Sequence, residues 1–285
     1  MNYHCQKLKS GLYLVATPLG SARDITLRAL DVLCSCDALA AEDTRSMRKL
    51  LNIHNIPLKD RPILSYNDFN GDRVRPTIMN WLNSNMAVAY ASDAGMPLIA
   101  DPGYQLSKQA AEAGFYVTAV PGASACITAL SLSGLPTDRF FFEGFLPVSK
   151  EKRRQKLKEL SSIPSTLIFY ESPKRLIKMF EDLIAIMGEN RRAVIARELT
   201  KKFEQIISGT LGELHALILK KPLKGELVVL LDRPLTTGLQ DLDVKAELRI
   251  ALSEMTLKDA SDFVASAHGL SKRYVYNLAL SMREN

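Results

Sequence analysis

Over the first 135 residues, short apolar runs alternate with helical patterns so regularly that few architectures can accommodate the chain. The runs at 12–16, 38–41, 63–66, 87–91 and 116–120 are apolar at nearly every position, as strands covered on both faces must be. Helices are predicted between and after them, over 24–36, 44–52, 73–84, 104–113 and 123–133. The third carries Val74, Ile78, Trp81 and Leu82 at helical spacing with polar residues between. Strand and helix in strict alternation give an α/β fold built on a mostly parallel sheet.

At 285 residues the chain exceeds what one hydrophobic core comfortably serves. The stretch SGLPTDRF breaks the pattern near residue 135, so an N-terminal α/β domain is expected over 1–137. A second domain over 138–233 opens on the apolar run Phe140 to Phe142 and reads as a helix at 150–160, a strand at 166–170 and a helix at 174–187. Strands at 193–198 and 204–208, a helix at 211–219 and a strand at 226–231 follow. Strands that succeed one another without a helix point to a mixed α+β sheet. The polar segment 234–243, PLTTGLQDLD, reads as a linker to a small helical tail. Two helical patterns there are separated by AHGLS, and Ser271 stands where an N-cap is expected.

Composition excludes several classes. Hydrophobic residues at 47% and charged residues at 24% describe an ordinary folded chain, with no run of roughly 20 apolar residues to span a bilayer. The N-terminus MNYHCQKLKSG has no apolar signal segment, so a cytoplasmic, membrane-free protein is expected. Cys5, Cys34, Cys36 and Cys126 form no C-x-x-C pair and are expected to be reduced, mostly core thiols. His4, His54, His215 and His268 lie too far apart for a helical metal motif, so no metal is expected.

The net charge of +6 is unevenly spread, because residues 143–234 carry 18 basic and 12 acidic groups while the stretches on either side are nearly balanced. Within that stretch Lys150, Lys152, Arg153, Arg154, Lys156 and Lys158 are opposed locally by Glu151 and Glu159 alone. Clustered cations of this kind give a polyanion sequence-independent footing, and equally describe a solvated helix face.

In an open α/β sheet, ligands bind beyond the carboxyl ends of the strands. The segments there are TPLGS (17–21), AEDTR (41–45), SYNDFN (65–70), SDAGMPLIADPG (92–103) and PGASA (121–125). Gly95 and Gly103 flank Met96, Pro97 and Pro102, and such a loop can present backbone groups to an amino acid moiety, with Ser92 or Asp93 on its ammonium. Turn geometry alone is the competing account of any one of these loops. No G-x-G-x-x-G, G-x-x-x-x-G-K-[ST] or G-x-S-x-G occurs, which argues against dinucleotide, P-loop and elbow-hydrolase chemistry.

The segments GLYLVATPLGSARDITLRAL, AAEDTRSMRKLL, SDAGMPLIADPGYQL, PGASACITALSLSGLPTDRFFFEGFLP, TLIFYESPKRL and ARELTK occur in order across residues 11–231. Together they resemble the bacterial 16S rRNA cytidine 2′-O-methyltransferase family, a branch of the tetrapyrrole-methylase-like class III methyltransferases. The resemblance implies two α/β domains with an S-adenosyl-L-methionine cleft between them, a homodimer, and methylation of a ribose 2′-hydroxyl in the decoding region of 16S rRNA. Carried over position by position, it places Pro18 at the cleft and Ser92, Asp93, Ala94, Gly95, Met96 and Pro97 at the methionine end of the cofactor. Ser124 and Ala125 match the cofactor-lining loop, and Tyr170, Glu171 and Ala196 would approach from the second domain. The chain departs from the family pattern at Met96 for threonine, at Asn67 and Phe69 for histidines, at Lys174 for histidine and at Ser21 for asparagine. No histidine is left in the third loop to act as a base.

Methyl transfer from a sulfonium needs alignment and removal of the hydroxyl proton. Glu42 and Asp43 follow the second strand and are the candidate bases, with Arg45 beside them to clamp a phosphate or orient a carboxylate. Asp43 could instead cap the helix that follows it. The basic segment, through Lys150, Lys152, Arg153, Arg154 and Lys156, is the expected RNA contact. Two other readings stay open on the residues alone: a tetrapyrrole methylase, and a noncatalytic nucleic-acid-binding protein using the C-terminal helices.

Overall fold

The computed structural model describes residues 3–234, 239–268 and 270–283. Contacts group Met1–Arg233 into one compact unit and Pro234–Asn285 into another. The first unit begins with β1 (Gly11–Val15), α1 (Leu27–Ser35), β2 (Ala38–Ala41), α2 (Thr44–Ile53) and β3 (Ile63–Ser65). It continues with α3 (Gly71–Asn83), β4 (Ala87–Ala91), α4 (Tyr104–Glu112), β5 (Val117–Val120) and α5 (Ala125–Ser133). β1 to β5 form one sheet in the order β3-β2-β4-β1-β5, and every pairing is parallel. Alternate side chains explain why the runs are apolar throughout. Leu12, Leu14, Ala38, Ala40, Val88 and Tyr90 enter one core, while Tyr13, Val15, Leu39, Ala41, Ala89 and Ala91 enter another on the opposite face.

The helix expected from residue 24 starts at Leu27, because Thr26 Oγ1 accepts from the Ala29 amide at 3.1 Å and caps it there. The expected stripe on α3 packs as its spacing demands, with Ile78 and Leu82 buried.

The rest of this unit comprises β6 (Phe140–Phe145), α6 (Lys150–Ser161), β7 (Thr166–Glu171), α7 (Pro173–Met187), β8 (Arg192–Arg197), β9 (Gln205–Thr210), α8 (Leu211–Lys220) and β10 (Leu227–Leu231). The second sheet runs β6-β7-β10-β8-β9 and is mixed: β6 lies parallel to β7, and the other pairs are antiparallel. α5 precedes this sheet in sequence but packs on it, with Cys126, Ala129 and Leu130 against Ile168, Val194, Ala196, Val228 and Leu230. That apolar seam ties the two sheets together.

The expectation of four reduced thiols is corrected. Cys5 and Cys34 are joined as a disulfide across 5.6 Å between Cα atoms, whereas Cys36 and Cys126 are free and buried. The N-terminal segment is laid against α1 by His4 N–H donating to Asp31 Oδ1 (2.6 Å) and Gln6 N–H donating to Ser35 Oγ (3.0 Å), which brings Cys5 beside Cys34.

In the second unit α9 (Leu239–Glu254), α10 (Leu257–His268) and α11 (Lys272–Arg283) pack around Val244, Leu248, Val264, Val275 and Ala279. Three helices stand where two patterns are expected. Of the expected linker at 234–243, residues 235–238 lie outside the described residues and 239–243 already belong to α9. Ser271 does cap α11, its Oγ accepting from the Tyr274 amide at 3.2 Å. No described helix is long and apolar enough to cross a membrane.

Candidate active site

Parallel pairing of β2 with β4 puts Ala41 opposite Ala91, so the segments starting at Glu42 and Ser92 leave the sheet side by side. The Glu42 amide donates to Ala91 O at 3.1 Å, and the Asp93 amide donates to Glu42 Oε2 at 3.2 Å. From the neighbouring strand, Thr17 and Gly95 exchange backbone hydrogen bonds of 2.9 and 3.0 Å, which lashes the loop after β4 to the end of β1. Gly95 is held at φ +82°, a conformation that favours glycine, and a Cβ there would press on Leu19 Cδ2 at 3.2 Å.

These loops and the ends of β7, β8 and β10 enclose a cleft of about 400 Å³. Asp93, Ala94, Gly95, Met96, Ser124, Ala125, Tyr170, Glu171 and Ala196 line it, as does Glu42. Three expected cofactor residues do not. Pro18 and Ser92 line a separate recess of about 230 Å³ with Asp43, Ser46 and Met47. Ser92 is buried: its carbonyl accepts from Thr17 Oγ1 at 3.2 Å and its hydroxyl donates to Ala94 O at 3.5 Å, so it braces the loop beneath the cleft. Pro97 is buried and lines no described cavity.

Tyr170 and Glu171 are the last two residues of β7. Cys126 N–H, at the start of α5, donates to Tyr170 Oη at 3.2 Å, and the ring stands edge-on to Phe142 and Phe145 at 4.9 and 5.7 Å. The Glu171 side chain is fully buried, with Oε1 accepting from Ser172 N–H at 2.7 Å and Arg175 Nε 3.1 Å away. Its Oε2 has no hydrogen-bond partner within the protein. Burial raises the Glu171 pKa against the opposing pull of Ser172 and Arg175.

A third cavity, of about 350 Å³, adjoins the cleft through Glu42 and Asp93 and is walled by Asp43, Thr44, Arg45, Ser65, Asn67 and Phe69. Glu42 and Asp43 are neighbours in opposite circumstances. Asp43 caps α2, Oδ1 accepting from the Arg45 amide at 2.7 Å, while the Arg45 guanidinium grips the same carboxylate through Nε and Nη2 at 3.1 and 2.7 Å. These bonds pull Asp43 down to about 2, so its carboxylate is a weak base, and it stands as the N-cap of α2 that the sequence offered as the alternative. Glu42 forms no salt bridge among the described residues, and burial raises its pKa.

Asp101 was not singled out by sequence, although its DPG sits in the quoted loop. It lines the cleft between Leu98 (φ 72°), Ala100 (φ 60°) and Gly103 (φ 116°), a backbone few side chains tolerate. Burial pushes its carboxyl up to about 6, with Ser92 opposing and Glu42 and Asp93 reinforcing. Also missed is the start of β10, where Gly225, Glu226, Leu227 and Val228 line the cleft. Only the placement of β10 between β7 and β8 brings that segment there.

The expected RNA-contacting segment is α6, and one of its residues is corrected. Arg153 is buried, donating through Nε to Asp182 Oδ2 at 2.8 Å and through Nη1 to Val148 O at 3.1 Å. It shares the inner face with Leu157 and Leu160, at i, i+4 and i+7. Lys156 lies 3.1 Å from Glu159 and 4.0 Å from Glu143, and Arg154 lies 3.7 Å from Asp182. Lys150 and Lys152 are exposed. Among the described residues no group of three or more His, Cys, Asp or Glu is placed to hold a metal ion.

Residues 11–215 match the family model of tetrapyrrole (corrin/porphyrin) methylases, and residues 239–283 match that of the RsmI C-terminal HTH domain. A ribosomal RNA small subunit methyltransferase I of Vibrio cholerae is 44% identical over 273 residues, 94% of each chain. Its counterpart in Escherichia coli O157:H7 is 42% identical over 276 residues, 95% of each chain. Among solved structures, diphthine synthase superposes with a TM-score of 0.59 at 17% identity, covering 78% of this chain and 89% of that one. Uroporphyrin-III C-methyltransferase of Thermus thermophilus, solved with S-adenyl homocysteine, gives 0.56 at 17% identity over 78% of this chain and 97% of that one. At that identity the superpositions speak for the fold.

Proposed function

The chain belongs to the tetrapyrrole methylase family and, within it, to the small subunit ribosomal RNA methyltransferases I; from that premise we propose that it methylates the ribose 2′-hydroxyl of a cytidine in the decoding region of 16S rRNA. The observation that carries the reading is the cleft itself, which opens at Glu42 and Asp93 into a second cavity. One chamber suits the methyl donor and the other the acceptor. The rRNA methyltransferase relatives match nearly full length at 42–44% identity, which favours RNA over a tetrapyrrole as acceptor.

The residues of the cleft fit S-adenosylmethionine. Glu171 Oε2 is a buried acceptor without a partner in the cleft wall, where a cofactor N–H or O–H would satisfy it. Gly95 keeps the floor low, and Ala94, Met96, Ser124, Ala125 and Ala196 supply a largely apolar lining. The bound cofactor supplies an electrophilic methyl on a sulfonium. Glu42, at the junction of the chambers, accepts the hydroxyl proton as oxygen attacks, and its raised pKa makes it a better base than Asp43. Asp93 N–H orients the Glu42 carboxylate through Oε2.

The RNA backbone lies along Lys150, Lys152 and the outer side of Arg154, above the buried Arg153. A homodimer is part of the same proposal, supported by exposed Phe140 and Phe141 on β6, which forms an edge of its sheet. A ribosomal substrate supports a cytoplasmic site of action.

Incubation with methyl-labelled S-adenosylmethionine and small ribosomal subunits tests the reading. Label is expected on the 2′-oxygen of one cytidine of 16S rRNA; label confined to a base, or none, overturns it.

A further inference from the structure

Among the described residues Phe69 is the most exposed of the large apolar side chains, at 102% of its reference accessibility, and it stands in the wall of the acceptor-side cavity. Exposed apolar residues scattered singly need no explanation. Phe69 is not scattered, because the cavity it walls shares Glu42 and Asp93 with the cleft. The loop that presents it is held by its own asparagines. Asn67 Oδ1 accepts from the Phe69 amide at 3.1 Å, Asn70 Oδ1 accepts from the Asn67 amide at 2.9 Å, and Asn70 Nδ2 donates to Ser65 O at 3.0 Å. A fixed backbone thus carries an aromatic ring that the protein itself leaves uncovered.

The chemistry of the remaining wall says what the ring faces. Glu42, Asp43 and Asp93 give the cavity a carboxylate lining with the Arg45 guanidinium at its margin, its side chain 90% exposed. Phosphate would be repelled by those carboxylates, whereas an uncharged planar base would not. Single-stranded nucleotides bind proteins largely by stacking bases on aromatic rings. A ribose whose hydroxyl reaches Glu42 must bring its base into this same cavity. We propose that Phe69 is the stacking platform for the unpaired nucleobase of the nucleotide being methylated. The proposal rests on the ribose-methylation reading. It also gives a role to a position where this chain departs from the family pattern.

Phe69→Ala, Phe69→Leu and Phe69→Trp decide it. With small ribosomal subunits as acceptor, kcat/KM of Phe69→Ala is expected to fall about tenfold, the scale of one lost base–aromatic stack, while affinity for S-adenosylhomocysteine measured by calorimetry stays unchanged. Phe69→Leu should stay low, and Phe69→Trp should recover to within about twofold of the parent, since stacking needs a π-face and not merely apolar bulk. An unimpaired Phe69→Ala, rescue by leucine as complete as by tryptophan, or loss of cofactor affinity in step with activity overturns the proposal. Should the parent protein methylate no subunits at all, the functional reading fails by itself. Stacking is then judged on the fluorescence of Phe69→Trp. Quenching by single-stranded oligocytidylate and not by its duplex supports it, and no quenching, or equal quenching by both, ends it.

Discussion

Charge is used in opposite ways at the strand ends of the first sheet and along α6. At the strand ends Glu42, Asp93 and Asp101 are drawn toward a cleft with no salt bridge of their own among the described residues, and burial raises the pKa of each. Along α6 the inward cations are matched, Arg153 with Asp182 and Lys156 with Glu159, while Lys150 and Lys152 stay exposed. Unmatched charge held in a cavity costs desolvation and persists where chemistry uses it, whereas matched charge serves the fold. Charge on α6 alone fitted an RNA track and a solvated face equally, and the packing takes Arg153 out of either.

The sharpest way to break the contrast is at the strand ends. Glu42→Gln keeps shape and removes the proton acceptor, so kcat is expected to fall by about 10² to 10⁴, the usual worth of a positioned base. Asp43→Asn keeps an N-cap for α2 and loses only the charge of the Arg45 clamp, so stability is expected to change little and kcat to stay within an order of magnitude. Because Glu42 must be ionised to accept a proton and its pKa is raised, the parent rate should fall on acidification from neutrality sooner than for an ordinary carboxylate. Single-turnover methyl transfer across pH measures this. Equal losses in the two variants would mean that environment does not separate these neighbours.

On α6 the effect moves from rate to stability. Arg153→Ala leaves Asp182, itself buried, without its main partner, and loss of one member of a buried pair typically costs about 3–5 kcal/mol. Lys152→Ala, on the exposed face, should stay within about 0.5 kcal/mol of the parent. Urea unfolding of both variants makes the comparison, and similar midpoints would place Arg153 at the surface after all.

The first sheet was legible because its physics is local. Runs buried on both faces must be apolar at nearly every position, and the loops after them must turn, which Gly95 and Gly103 advertise. The nearby members of the cleft, Asp93 to Met96, follow from the same rule that ligands sit at strand ends. What stayed hidden depends on direction and on distance in the chain. Ser92 sits in the right loop but is buried beneath it, its hydroxyl turned to Ala94 O and to Asp101 and not to the open cleft. Arg153 belongs to a run of cations, and only its register with Leu157 and Leu160 marks it as inward. That spacing was readable and was outweighed by charge. Gly225 to Val228 reach the cleft through a strand order that no local pattern specifies. The Cys5–Cys34 bond likewise needed the N-terminal segment to lie along α1.

The smallest effect should be the most selective. If Lys150 and Lys152 meet phosphates while Lys156 serves its glutamates, replacing each of the first two with alanine lowers the slope of log affinity against log salt by about 0.7 to 0.9 per lost contact. At one fixed salt concentration the change in affinity for small subunits is modest, so the slope is the quantity to measure. Lys156→Ala should leave the slope in place, because its ammonium is already held by Glu159 and Glu143. The two classes also differ in what they spare: removing Lys150 or Lys152 alters RNA affinity without touching kcat at saturation, since neither residue lines the cleft. A slope lowered by Lys156→Ala and not by Lys152→Ala would move the RNA track to the inner edge of α6, toward Glu143 and β6. The exposed face would then be solvated surface, as its charge alone allowed from the start.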